Sequence, residues 1–72
     1  MATPEEEIRE LIHAVAPPQL QSRWVGDWMT QHGFQPAEVK AAVSALVSGV
    51  NPQQLSDAVW NGYKTMHGGQ DV

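Results

Sequence analysis

Four of the five prolines divide the chain into segments of similar length, and a helix is expected to begin at each of them: Pro4, Pro18, Pro36 and Pro52. Proline suits the first turn of a helix because the N–H that it lacks would be unpaired there, whereas further along it breaks the helix. A chain of 72 residues has room for one domain. The sequence therefore predicts a single domain over residues 1–72, with helices over residues 4–16, 18–32, 36–48 and 52–67.

Residues at the ends of these segments support the same division. Thr3 and Asn51 are of types that cap helix N-termini, and Gly33 suits the left-handed position that follows a helix. Two glycines end the fourth segment, so residues 68–72 are predicted to form a flexible tail.

Apolar residues recur at helical spacing in all four segments, which predicts an all-α fold, either a compact bundle or an orthogonal array. Phe34 is expected to pack into the core from the loop before the third helix. The predicted buried stripes are Ile8, Leu11, Ile12 and Val15 in the first helix, Val39, Ala42, Val43, Leu46, Val47 and Val50 at the third, and Leu55, Ala58, Val59, Gly62, Tyr63 and Met66 in the fourth.

The second segment has a wider apolar arc than one buried stripe needs. It carries one stripe of Leu20, Trp24 and Trp28 beside a second stripe of Val25, Met29 and His32. Two interpretations follow: this is the central, most buried helix, or part of its arc is an exposed surface for a partner. Gly26, in mid-helix, indicates close packing against a neighbour.

Composition argues against several classes of function. The chain has no cysteine, which excludes disulfides and thiolate zinc sites. Four Lys and Arg against eight Asp and Glu give a net charge of −4, and the four cations are spread along the chain. Nucleic acids and acidic membrane surfaces both attract basic patches, so neither is an expected partner. The acidic N-terminus does not resemble a signal peptide, which favours a cytoplasmic location.

No residue pattern indicates catalysis. The three histidines, His13, His32 and His67, lie on different helices and form no metal-binding pair at helical spacing. The serines lack an elbow motif or an adjacent base, and no phosphate-binding loop is present. The sequence therefore predicts a protein that is not an enzyme and that needs no metal and no cofactor.

Residues 41–62 resemble the helix-turn-helix of small phage-type repressors. Ala45, Gly49 and Leu55 fall at the spacing of that motif's small residue, turn glycine and buried residue of the second helix. Ser44 and Ser48 depart from it, since the motif has apolar residues there. The resemblance implies a DNA-binding regulator, and it places four residues toward the DNA groove: Gln53, Gln54, Ser56 and Asp57.

A shorter stretch, HGFQPAEVKAAV, resembles the opening of a ubiquitin-associated domain. Gly33-Phe34 and Ala42-Val43 match that pattern, but the next helix begins several residues later than the domain requires. We interpret the stretch as a Gly-Phe turn between packed helices.

The remaining interpretation is a protein-interaction module. Tryptophan is common at interface hot spots, and the chain has three tryptophans. Trp24 and Trp28 fit the predicted core, whereas Trp60 lies off its buried stripe. The candidate partner-binding residues are therefore Trp60, Gln53, Asp57 and Lys64, with Val25 and Met29 on the second helix.

The partner predicted by the acidic charge is a larger protein with a basic surface, to which this chain would bind as an adaptor or an inhibitor. Accessory proteins of phages and plasmids are similar in size and charge, which is an analogy rather than a derivation. Self-association through the wide apolar arc of the second helix is a further alternative.

Overall fold

A computed structural model of the protein describes residues 3–68, and in that range the chain forms four α-helices and no strand. The prediction of a small all-α fold is confirmed. Of the predicted tail, residues 69–72 lie outside the described range. No helix within residues 3–68 combines the length and the apolar composition needed to cross a membrane. The helices are α1 Pro4–Ile12, α2 Pro18–Gln31, α3 Pro36–Ser48 and α4 Pro52–Met66.

Helix α1 begins as predicted and ends four residues early. The Thr3 hydroxyl accepts from the Glu6 N–H and the Glu6 carboxylate accepts from the Thr3 N–H, which forms a capping box. At the other end, the side-chain amide of Gln21 donates to the carbonyls of Leu11, Ile12 and Ala14 at 3.1, 2.6 and 3.2 Å. These bonds satisfy carbonyls that another helical turn would otherwise pair. Val15, predicted to be buried, is therefore fully exposed in the connection to α2.

Helix α2 is the central helix, and its most buried side chains correct one of the predictions. Val25 and Met29 are 0% and 2% exposed, so they are core residues and do not form the exposed partner surface that was predicted on α2. Their face of α2 forms part of one core that all four helices share. The core residues are Ile8, Ile12, Val25, Trp28, Met29, Phe34, Ala42, Leu55 and Val59.

Helix α2 packs closely against α3 at Gly26. A Cβ atom built on this glycine would lie 3.6 Å from methyl groups of both Val39 and Val43. Helix α3 has the predicted bounds and ends at Gly49, whose φ of 84° is the left-handed conformation that glycine adopts most readily. Its apolar stripe is shorter than predicted, because Val47 and Val50 are exposed.

The buried face of α4 is rotated relative to the prediction. Leu55 and Val59 lie in the core as predicted, but Ala58 and Met66 are exposed, and Ser56 is completely buried instead. On this rotated face the Ser56 hydroxyl accepts a hydrogen bond from Arg9 of α1. The cap at Asn51 is confirmed, since its side-chain oxygen accepts from the N–H groups of residues 53 and 54.

Candidate functional site

Arg9 joins α1 to α4 through a small polar network. Its Nη1 donates to Ser56 Oγ at 3.0 Å and to Asp57 Oδ1 at 2.8 Å, and its Nε donates to Glu5 at 3.0 Å. Gln53 Nε2 also donates to Asp57 Oδ1, at 3.0 Å. The hydrogen bond from Arg9 lowers the pKa of Asp57, and the same bond raises the pKa of Arg9. Two predicted partner-binding residues, Gln53 and Asp57, therefore already have partners within the protein.

Trp60 is only partly exposed, because its ring lies along α4 rather than away from it. It stacks on Tyr63 with ring centres 5.0 Å apart and an interplanar angle of 14°. Tyr63 in turn stacks on His67 at 4.3 Å. Lys64, the last of the predicted partner-binding residues on α4, is exposed. The α4 candidates thus divide into one exposed lysine, one stacked tryptophan and two members of the Arg9 network.

A second group of aromatic rings connects α2 to α4. The Trp28 ring stacks on His32 with centres 3.9 Å apart and lies 5.8 Å from Tyr63. A hydrogen bond of 2.9 Å joins His67 Nε2 to the carbonyl oxygen of His32. These histidines pack among aromatic rings and contact backbone carbonyls. Within residues 3–68, no three histidine or acidic side chains come together in a way that could hold a metal ion.

An open groove between α1 and α2, which we call the α1–α2 groove, holds the most exposed aromatic surface of the central helix. It has a volume of about 420 Å³. Trp24 is 37% exposed, and Leu20, one turn earlier on the same helix, is 41% exposed. The two helices run antiparallel, since Gln21 contacts the end of α1 while Trp28 Nε1 donates to Glu7 at 3.1 Å. The residues that line the groove are Leu11, Trp24, Asp27, Trp28 and Gln31.

The rim of the α1–α2 groove is predominantly acidic. Asp27 lines it from α2, and the exposed Glu7 carboxylate lies beside it on α1. Glu10 follows Glu7 by one helical turn and is also exposed. Arg23 lies one turn before Asp27 on α2 and offsets part of this charge. An apolar floor with the Asp27 and Glu7 carboxylates at its edges suits a ligand that is apolar at its centre and cationic at its edges.

A smaller groove of about 270 Å³ lies between α3 and α4. Its floor is made of core side chains, including Met29, Phe34 and Val59, and Glu38 lies at its edge. Small residues, Ala41 and Ala58, form its sides. It offers less exposed aromatic surface than the α1–α2 groove, since Phe34 is 7% exposed and Trp24 is 37% exposed.

The structure agrees with the helix-turn-helix resemblance in the turn but not in the residues expected to face DNA. The three residues 49–51 between α3 and α4, with a left-handed Gly49, match the length and conformation that the motif needs. However, the four residues expected to face DNA do not share one free surface. Gln53 and Gln54 are exposed, whereas Ser56 is buried and Asp57 is held by Arg9.

No protein family model, curated protein or solved structure matches this chain. Its function has to be inferred from its own residues.

The sequence contains a pattern that indicates the α1–α2 groove, although apolar periodicity alone does not detect it. Leu20, Trp24, Asp27 and Gln31 follow one another at the spacing of a single helix face. A face that mixes two large apolar residues with a carboxylate and an amide is not typical of a core. No comparable signal indicates the contact between Arg9 and Ser56, because these residues are 47 positions apart.

Proposed function

We propose that this protein is a small protein-interaction module without enzymatic activity, and that it binds its partner through the α1–α2 groove. The observation that carries this proposal is the exposure of Trp24 beside Leu20 on the central helix. Tryptophan is among the residues that contribute most to interface affinity, because its large rigid ring buries much apolar area at little cost in side-chain entropy. Another protein would shield that area from water.

The partner that fits is a protein with a basic surface. The chain carries a net charge of −4, Asp27 lines the groove, and the Glu7 carboxylate accepts a hydrogen bond from Trp28 in its floor. Complementary charge accelerates association and favours the correct partner over others. A module of this size would act as an adaptor or as an inhibitor that covers a basic surface.

Partner capture with matched variants tests this proposal. Tagged wild-type protein, Trp24→Ala and Val47→Ala are used to capture partners from a lysate of the producing organism, and the captured proteins are quantified. Val47 is a suitable control because it is a large exposed apolar residue on α3, away from the groove. A specific partner should be retained by Val47→Ala and lost with Trp24→Ala.

Both variants should remain folded. Val47 is 62% exposed, so Val47→Ala should change the free energy of unfolding by less than about 1 kcal/mol. Trp24 is 37% exposed and lines an open groove, so Trp24→Ala should cost more than Val47→Ala through lost burial without unfolding the domain. Circular dichroism and thermal melting check this. Equal capture by wild type and Trp24→Ala would refute the proposed site. A Trp60→Ala variant in the same experiment shows whether the stacked ring on α4 contributes.

A further inference from the structure

The floor of the α1–α2 groove is apolar, and its one buried polar group is already paired. Trp28 is 6% exposed, and its indole N–H donates to Glu7. Leu11 and Trp24 complete the floor with carbon surface. A ligand gains little from polar groups directed at this floor, and it gains by placing a bulky apolar side chain there.

The rim selects the charge of that ligand. The Glu7 carboxylate contacts Trp28 from the α1 side, and Asp27 lines the α2 side. Exposed Glu10 and Arg23 lie one helical turn along from Glu7 and Asp27, respectively. A second copy of this chain would bring the same net charge of −4 to the contact, so charge repulsion opposes self-association. Lysine or arginine on the ligand would instead meet opposite charges on both sides of the groove.

The lining also indicates the shape of the ligand. Trp24, Trp28 and Gln31 stand at i, i+4 and i+7 on α2, and Leu11 faces them from the antiparallel α1. Two antiparallel helices form a furrow into which side chains of a third helix can pack. Residues 3–68 contain no strand, so binding by strand addition to this part of the chain is excluded.

From these features we infer that the α1–α2 groove binds a cationic amphipathic helix of the partner, with a bulky apolar side chain against Trp24 and with lysines or arginines over the rim carboxylates. This inference rests on the proposed function and specifies the chemistry of the partner.

The test uses defined peptides rather than the unidentified partner. One labelled synthetic peptide of leucine and lysine has about 14 residues, roughly four turns, in an amphipathic helical pattern. A matched peptide replaces each lysine with glutamate. Binding of both to the full chain is measured by fluorescence anisotropy at near-physiological salt. The leucine–lysine peptide should bind at least about tenfold more tightly than its glutamate counterpart.

Three variants localise the binding. Trp24→Ala should weaken binding of the leucine–lysine peptide by about tenfold or more, and Asp27→Asn by a smaller factor that disappears at high salt. Glu38→Gln removes the same unit of charge at the edge of the other groove and should change affinity by less than about twofold. Glu38 also accepts a hydrogen bond in the cap of α3, and glutamine can replace it there.

An NMR titration provides a readout that does not depend on the variants. The peptide should shift amide signals of Leu11, Trp24 and Gln31, and leave those of Ala41 and Ala58 unchanged. Equal affinity for the two peptides, or equal losses in Asp27→Asn and Glu38→Gln, would overturn the inference of a cationic ligand.

The failure of the inference and the failure of the proposed function are distinguishable. If both peptides bind with equal affinity and only when Trp24 is present, the groove remains a docking site and only its charge preference is wrong. If neither peptide binds but partner capture depends on Trp24, the groove remains a docking site and the inference of a cationic helix is wrong. If neither peptide binding nor partner capture depends on Trp24, the proposed function itself is refuted.

Discussion

At the scale of single residues, Arg9 makes the polar contacts that fix α4 against α1. It reaches a buried hydroxyl, Ser56, and a half-exposed carboxylate, Asp57, and both contacts are shorter than 3.1 Å. Ser56 also donates to the carbonyl of Gln53 at 3.1 Å, so its buried hydroxyl is fully engaged. This network explains how a serine is accommodated on the buried face of α4, because both the donor and the acceptor of its hydroxyl are paired.

Replacing Asp57 with asparagine should remove a component of stability that depends on pH. The hydrogen bond from Arg9 holds the pKa of Asp57 in the folded protein below its ordinary value of 3.8. A depressed pKa contributes stability that is fully present above the ordinary value and is lost as the pH falls through the folded value. The stability difference between wild type and Asp57→Asn should therefore be constant at higher pH and should shrink below the ordinary value.

Thermal melts of both proteins from neutral to strongly acidic pH measure this difference. Glu10→Gln is the charge-matched control, because Glu10 takes no part in the Arg9 network. A difference between wild type and Asp57→Asn that persists unchanged into strong acid would show that the ion pair does not stabilise the fold.

Alanine variants of Val59 and Trp60 compare a core side chain with a partly exposed side chain on α4. Val59 is 5% exposed, and Val59→Ala should destabilise the protein by roughly 1–3 kcal/mol through lost burial and a small cavity. Trp60→Ala should cost about 1 kcal/mol, mainly from the lost stacking on Tyr63. Urea denaturation of the two variants gives both values. A larger loss for Trp60→Ala than for Val59→Ala would place the Trp60 ring in the core.

At the scale of helices, Gly26 and Gly62 differ in the space that surrounds them. A Cβ on Gly26 would make ordinary contacts of 3.6 Å with Val39 and Val43, whereas a Cβ on Gly62 would lie 3.3 Å from the ring of Phe34. The first position has room for a methyl group. At the second, the Phe34 ring, which is itself part of the core, would have to shift.

Gly26→Ala should therefore stabilise the protein by up to about 1 kcal/mol, since alanine favours the helix and the new methyl group contacts α3. Gly62→Ala gains the same helix propensity but crowds Phe34, so we expect it to be less stable than Gly26→Ala. Thermal melts of the two variants compare them directly. Equal stabilisation at both positions would mean that Phe34 adjusts without cost.

The bounds of the helices were predictable where local chemistry sets them. Proline at the first position and capping side chains at Thr3 and Asn51 fixed the starts of the helices, and Gly49 ends α3. The end of α1 was not predictable, because its last carbonyls bind the side chain of Gln21 on another helix.

The candidate site was harder to predict than the helices, because it also depends on contacts between helices. Periodicity placed Trp24 in the core and Trp60 on the surface, yet Trp24 is the more exposed of the two. Which side of α2 is covered depends on where α1 packs, and which side of α4 is covered depends on Arg9. Both are contacts between distant parts of the chain, and helical spacing carries no information about them.

At the scale of the whole molecule, the net charge of −4 limits the partners that the chain can approach. The α1 surface contributes much of that charge through Glu5, Glu6, Glu7 and Glu10, and Arg9 alone opposes it within that helix. Like-charged copies repel one another, and salt screens this repulsion. Any self-association should therefore increase with ionic strength, which is the opposite of the salt dependence expected for a basic partner.

Duplex DNA provides the sharpest test of the alternative function, because helices α3 and α4 have the turn that a helix-turn-helix requires. Exposed Gln53 and Gln54 could contact bases, but Ser56 is buried and Asp57 is bound to Arg9. Affinity for DNA comes largely from neutralising phosphates, and an acidic chain without a cationic cluster releases few counterions. We expect no submicromolar binding to duplex DNA at near-physiological salt.

The affinity for duplex DNA is measured by fluorescence anisotropy with a randomised pool of labelled duplexes. Any bound fraction is then selected and sequenced. Two kinds of variant serve as controls. Gln53→Ala and Gln54→Ala change the residues that could contact bases, and Trp24→Ala changes the α1–α2 groove. Sequence-selective binding that the glutamine variants abolish and Trp24→Ala leaves intact would make α4 a recognition helix. In that case the α1–α2 groove would be a secondary surface, and the proposal of a protein-interaction module would have to be abandoned in favour of a transcriptional regulator.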